Sequence, residues 1–157
     1  MNARRVGLIS DTHGLVRPEA LEFLRGCDHL VHAGDICTAD VLQELAKLAP
    51  MTVVRGNNDQ GAWADALPEQ TLLDVEGIRV CIVHDLAQLR IEPGAAGVRV
   101  VVSGHSHRPS ISERDGILYV NPGSAGPRRF NLPVSVGELL IEAGSVTARL
   151  CTLDVSP

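Results

Sequence analysis

The chain has 157 residues, enough for one domain with a self-sufficient core. Its 45% apolar and 21% charged content is that of an ordinary globular protein. A net charge of −5 and only 3% aromatic residues argue against a general polyanion binder and against a base-stacking platform for single strands.

The first apolar run, Val6 to Ile9, follows Arg4-Arg5 and is too short for a signal peptide. A helix is expected from Pro18, a favourable first-turn residue, through Leu21 and Leu24 to a stop at Gly26. The second run is Leu30-Val31-His32. A helix with one apolar face follows around Val41, Leu42, Leu45 and Leu48, ending by Pro50. Thr52–Val54, Ile78–Val83, Val98–Val102 and Ile117–Val120 are the next runs. Val134–Ile141 and Val146–Leu153 read as an antiparallel hairpin turning at Ala143-Gly144. Short apolar runs alternating with helices predict βαβ units and a parallel sheet, hence an α/β fold. No repeat or linker divides the chain, so residues 1–157 are taken as one domain. No stretch reaches the length of a membrane span. Cys27, Cys37, Cys81 and Cys151 form no C-x-x-C pair and read as free thiols of a reducing, cytoplasmic protein. Cys37, just after Gly34-Asp35, is placed near the site or, preferably, in packing; His32 is read as a packed, hydrogen-bonded histidine with contact behind the ligands as the alternative, and His29 as a surface residue.

The informative residues are those that end the runs. Asp11-Thr12-His13 follows the first, Gly34-Asp35 the second and Gly56-Asn57-Asn58-Asp59 the third. His84-Asp85 follows the fourth and Gly104-His105-Ser106-His107 the fifth. Carboxyl ends of parallel strands share one sheet edge, so these groups are expected to converge there. Alone, Asp11-x-His13 is an Asx turn, Gly34-Asp35 a turn or cap, and Gly104-His105-Ser106-His107 a solvated loop. Together Asp11, His13, Asp35, Asn57, His84, His105 and His107 offer only nitrogen and oxygen to a cation. That donor set suits transition metals: manganese foremost, with iron, zinc, nickel or cobalt as alternatives. Seven ligands exceed one ordinary site but suit two ions about 3.5–4 Å apart, the clamp of many phosphatases.

In this order the motifs resemble the calcineurin-like metallophosphoesterases. Asn121-Pro122-Gly123-Ser124 with Pro127-Arg128 is similar to the small YfcE-like phosphodiesterase branch. The resemblance covers Val6 to about Arg128. It implies a four-layer αββα sandwich whose terminal strands close a second sheet. It also implies a ligand partition: Asp11, His13 and His107 around one ion, Asn57, His84 and His105 around the other, and Asp35 bridging both. The implied reaction is hydrolysis of a small phosphodiester by in-line attack of a metal-bridging hydroxide, with Asn57 helping to neutralise phosphoryl charge. Asp35, Asn57, Asn58 and Asp59 form the catalytic set. Many members carry histidine at the position of Asn58, which cannot act as an acid; this biases the enzyme toward good leaving groups. Asp85 stands where the family usually has glycine and is read as a solvated loop residue or, as the alternative, a carboxylate supporting the ligands. Asp59 is read as a support behind the ligands, Asn121–Ser124 as a tight turn bracing the site, and Arg128 and Arg129 as phosphate-steering or simply exposed arginines. The alternative is a scaffold of the same fold, as in the retromer coat, where a decayed metal site is expected. The acidic balance argues against a nuclease acting on long nucleic acid. A homo-oligomer is compatible with the sequence.

Overall fold

The computed structural model describes residues 3–155. In chain order the elements are β1 (Arg4–Ile9), α1 (Pro18–Leu24), β2 (His29–His32), α2 (Ala39–Ala46), β3 (Met51–Val53), α3 (Ala62–Asp65) and β4 (Gln70–Val75). They continue with β5 (Ile78–Val83), a 3-10 turn (Leu86–Gln88), β6 (Val98–Val102), β7 (Ser110–Arg114), β8 (Ile117–Asn121), β9 (Ser135–Glu142) and β10 (Ser145–Thr152). They form two five-stranded sheets, ordered β10-β9-β1-β2-β3 and β4-β5-β6-β8-β7. Both sheets are mixed. Each has a parallel centre, β1-β2-β3 in one and β5-β6-β8 in the other.

The expected runs therefore divide between two sheets and do not share one. The terminal hairpin extends the first sheet, with β9 antiparallel to β1; it does not close the second, as the resemblance implied. Pairing with β1 buries the inward residues Leu139 and Ile141 on the same core as Val6 and Leu8. Two further strands, β4 and β7, were not anticipated. Each enters a hairpin through a turn whose two central residues are left-handed, Glu76-Gly77 (φ 47 and 82) and Asp115-Gly116 (φ 54 and 79). Ala143-Gly144 (φ 52 and 79) turns β9 into β10 the same way. Positive φ at both positions matches the right-handed twist of the strands it joins.

The two sheets face each other across one apolar layer. Val6, Leu8 and Val31 meet Val80, Ile82 and Val100 there, all with no exposed surface. Full burial of each such side chain contributes about 1.5–3 kcal/mol. Outside the first sheet, Ala20 and Leu24 of α1 and Val41 and Leu45 of α2 pack on Ile9, Leu30 and Val136. Outside the second sheet the cover is thinner. Leu89, Ile91 and Ala96, from the segment joining β5 to β6, lie over Cys81, Val83 and Val101. That segment carries only the 3-10 turn. The face-to-face arrangement brings the carboxyl ends of β1, β2 and β3 opposite those of β5 and β6.

Candidate metal centre

Each candidate ligand sits within five residues of a strand's carboxyl end, in a loop held by its neighbours. The loops after β1 and β2 continue the parallel pairing past the sheet: Asp11 N–H donates to Gly34 O at 2.9 Å, and His13 N–H to Asp35 O at 3.0 Å. Asp11, His13, Asp35, His105 and His107 all have positive φ, between 46 and 72. Non-glycine residues adopt this region rarely and at a cost, so the surrounding contacts must impose it.

Two groups supply much of that constraint. The buried Asp59 carboxylate accepts four amides: Oδ2 takes those of Asp35 (3.0 Å) and Gly56 (2.8 Å), and Oδ1 those of Ile36 and Cys37 (both 2.8 Å). His32 is fully buried. Its Nδ1 accepts the Gly34 amide at 3.1 Å, so Nε2 carries the proton toward Thr12 Oγ1, also at 3.1 Å. Burial lowers the His32 pKa to about 3, so the ring stays neutral. The glycines before the ligands reflect close approach. A Cβ on Gly56 would fall on the Asp35 backbone, and one on Gly104 on the Ser10 hydroxyl and Asp11 carboxylate.

The donor atoms converge. Asp11 Oδ1 lies 3.4 Å from His107 Nε2 and 3.9 Å from His13 Nε2. Asp35 Oδ2 lies 3.7 Å from His13 Nε2 and 3.3 Å from His84 Nε2, between the two groups. Asn57 Oδ1 is 3.0 Å from His84 Nε2 and 3.1 Å from His105 Nδ1. The imidazoles pair accordingly, His13 with His107 and His84 with His105, each at 5.2 Å between centroids. Donors close enough to share an ion fall into two sets, Asp11-His13-His107 and Asp11-Asp35-His84. Asp11 therefore reaches both sets, whereas the family resemblance implies contact with one ion only.

The chemistry of the donors fits a cation. Asp11 Oδ1, His13 Nε2 and His107 Nδ1 are buried with no hydrogen-bond partner. An orphaned buried acceptor costs about 1–3 kcal/mol, which a cation between the first two atoms would remove. His84 Nδ1 lies 2.7 Å from Ala33 O and so donates to it, which turns the Nε2 lone pair of the neutral ring toward Asp35 and Asn57 oxygens. That contact is unfavourable without a proton or a metal. Burial works against charge on His84, but the hydrogen bond to Asp35 and the charges of Asp11 and Asp35 outweigh it and raise the pKa. Burial likewise opposes the Asp35 charge, yet the hydrogen bonds from His84 and Asn58 hold that carboxyl well below its ordinary range. Burial raises the pKa of Asp11 and lowers that of His107. Ions need His neutral and carboxylates charged, so binding would displace protons.

The remaining expected residues take other places. Asn58 turns back on Asp35, donating its amide to Oδ1 at 2.9 Å and its side chain to Oδ2 at 3.0 Å. Asp85 is half-buried; its Oδ1 accepts the Ala87 amide at 3.0 Å and starts the 3-10 turn, so it is not simply solvated. Asn121 Nδ2 donates to Gly104 O, and Ser124 Oγ to Asp11 O, so that turn braces both ligand loops. Arg128 and Arg129 are exposed and make no side-chain hydrogen bond among the described residues. His29 is half-buried against Thr52 Oγ1 at 2.7 Å, and is not a free surface residue. Cys37 is not only packing: its Sγ lies 3.5 Å from His13 Nδ1. Its positive φ of 75 follows from its place in the Asp35 loop, which no residue-type signal reveals.

The calcineurin-like phosphoesterase superfamily domain matches residues 5–144. The chain belongs to this family. A probable metallophosphoesterase of Methanothermobacter thermautotrophicus is 36% identical, over 92% of this chain and 90% of that protein. Among solved structures, an archaeal phosphodiesterase superposes with a TM-score of 0.77 at 22% identity, covering 94% of this chain and 99% of its own. Vps29 of Entamoeba histolytica in complex with Zn2+ superposes with a TM-score of 0.70 at 22% identity, over 96% and 99% of the two chains. The metallophosphoesterase fold thus accounts for the paired sheets, and the converging Asp and His donors are candidate metal ligands of a phosphoesterase.

Proposed function

We propose that this metallophosphoesterase hydrolyses small phosphodiesters with two divalent transition-metal ions, manganese foremost and iron, zinc, nickel or cobalt as alternatives. The observation that carries the reading is the pair of buried, unpartnered atoms Asp11 Oδ1 and His13 Nε2, joined through Asp35 Oδ2 to a second cluster around His84. Asp11, His13 and His107 would hold one ion and Asn57, His84 and His105 the other, with Asp35 available to both. When bound, the ions supply Lewis acidity and a water acidic enough to attack near neutral pH. The chain's own groups position the reaction. Asp59 fixes the Asp35 backbone and Asn58 its carboxylate, and Asn57, exposed at the rim, would offer its amide to the phosphoryl oxygens. Asn58 donates to Asp35 and cannot protonate a leaving group, which favours esters of acidic alcohols.

The similarity to an archaeal phosphodiesterase supports diesters as the substrate class. Free thiols at all four cysteines support a cytoplasmic setting, and the core shared by both sheets supports one domain over residues 1–157. Among the described residues no helix is long and apolar enough to cross a membrane. The net charge of −5 weighs against long nucleic acids, and a homo-oligomer remains compatible. The likeness to Vps29 favours a second reading, a binding module with an idle metal site. Seven intact donors favour the hydrolase. The decisive experiment strips the protein of metal, restores each candidate ion and assays a generic phosphodiester beside a monoester. Turnover that returns with metal and disappears in Asp35→Ala is expected. Failure of every ion to restore turnover would sink the hydrolase, and faster monoester cleavage would overturn the diester preference.

A further inference from the structure

A cleft of 440 Å3 opens beside Asn57, His84 and His105 and runs toward Asp85, Gln88 and the Arg55–Glu69 pair. Its size lies in the range of about 300–1,000 Å3 typical of small-ligand sites. A substituent on a phosphorus held by the metal ligands would enter it directly. Beyond the imidazoles of His84 and His105, which face the donor cluster, the lining has no aromatic and no aliphatic side chain, so it offers little to an acyl chain.

Its charges are mostly spent. Arg55 Nη2 pairs with Glu69 Oε1 at 2.6 Å, and Arg90 takes the other Glu69 oxygen at 2.5 Å. Asp59, also at the wall, is occupied by its four amides. The lining sets one guanidinium, Arg55, against three carboxylates, Asp59, Glu69 and Asp85, so it does not favour a second phosphate or a carboxylate. Two groups remain available. Asp85 Oδ2 makes no hydrogen bond and lies 3.8 Å from His105 Nε2, while the Gln88 side chain has no hydrogen-bond partner among the described residues. A carboxylate oxygen and a carboxamide at the mouth of a polar cleft match an array of hydroxyl groups.

We propose that this cleft receives a neutral, hydroxyl-rich arm of the diester, such as a glyceryl or sugar group, and that Asp85 and Gln88 determine that specificity. The proposal rests on the hydrolase reading above and names the substrate class of that site. It also gives a role to the carboxylate standing where the family usually has glycine.

The test uses four diesters that share a p-nitrophenolate leaving group and differ in the other arm: methyl, glyceryl, thymidine and choline. With the metal-loaded protein, kcat/KM for the glyceryl ester should exceed that for the methyl ester by at least about tenfold. In Asp85→Asn, which keeps the turn's amide acceptor, and in Gln88→Leu the glyceryl-to-methyl ratio should fall about tenfold, the loss of one hydrogen bond to a polar partner. A wild-type ratio near one, a ratio unmoved by both variants, or a thymidine or choline ester ahead of the glyceryl ester would overturn it. Glycerol titrated into the metal-free protein should shift the amides of residues 85–88 and not do so in Gln88→Leu; absence of shifts up to molar glycerol would count against the cleft. If no ester is cleaved with any metal, the hydrolase reading falls, and the glycerol titration still decides the cleft.

Discussion

The two groups of donors differ in their access to water. Asp11 and His107 are 0% and 5% exposed, and their group contains the unpartnered atoms. Asn57 and His105 are exposed, already meet at Asn57 Oδ1 and border the cleft. Charge attraction is stronger where water is excluded, so under the proposed two-ion reading the first group would retain an ion more tightly and the second would exchange ligands with the substrate.

The largest expected effect tests that difference directly. Asp11→Ala should weaken the tighter of two manganese-binding steps at least about a hundredfold and abolish most turnover, because it removes a ligand that reaches both donor sets. Asn57→Ala should weaken only the looser step, roughly 10–100-fold. Calorimetric titration of the stripped protein separates the steps; equal losses, or the reverse order, would break the comparison.

Asp59→Asn comes next. Its amide nitrogen would face backbone N–H groups that the carboxylate now accepts, and each unsatisfied group costs about 1–3 kcal/mol. A melting temperature lower by roughly 4–8 °C is expected for about 2 kcal/mol in a chain of this size. Both metal steps should weaken, since Asp59 holds the loop of the shared Asp35. Weakening of one step alone would show that Asp35 serves only that ion.

His32 braces the Asp11 and Asp35 loops, through Thr12 and Gly34. Its pKa is about 3 when folded against an ordinary 6.5, so between these values the unfolded chain binds more protons. Its contribution is complete above about pH 6.5 and is lost as pH falls toward 3. Urea unfolding of the metal-free protein should therefore show an acid limb over that window that is shallower in His32→Gln. An unchanged limb would assign acid sensitivity elsewhere.

The smallest effect belongs to Cys37→Ser. Removal of the Sγ contact to His13 Nδ1 should weaken the tighter step a few-fold, within about 1 kcal/mol, and leave the looser step alone. A change larger than that of Asp59→Asn would make Cys37 a principal support.

Strands with apolar runs were legible because burial demands them: β1, β2, β5, β6 and β8 each lie within or beside an expected run. β7, Ser-Ile-Ser-Glu-Arg, is exposed throughout and has no such pattern. Its Asp115-Gly116 turn was the available signal, as Glu76-Gly77 was for β4. The candidate ligands were legible as residue types that follow strands, and the structure brings all seven to one edge. The supports were not legible. Asp59 acts through four amides from two loops and His32 through contacts to two more residues, and hydrogen bonds between distant backbone segments leave no mark on residue spacing.

The sequence by itself determined which donors exist, that they follow strands, and that they are nitrogen and oxygen. These are local properties of side-chain chemistry and hydrophobic patterning. Only the tertiary structure decided that the strands part into two sheets, that Asp11 reaches both donor sets, and that Asn58 turns back on Asp35. Those facts depend on distances between segments far apart in the chain, which packing sets and residue order does not record.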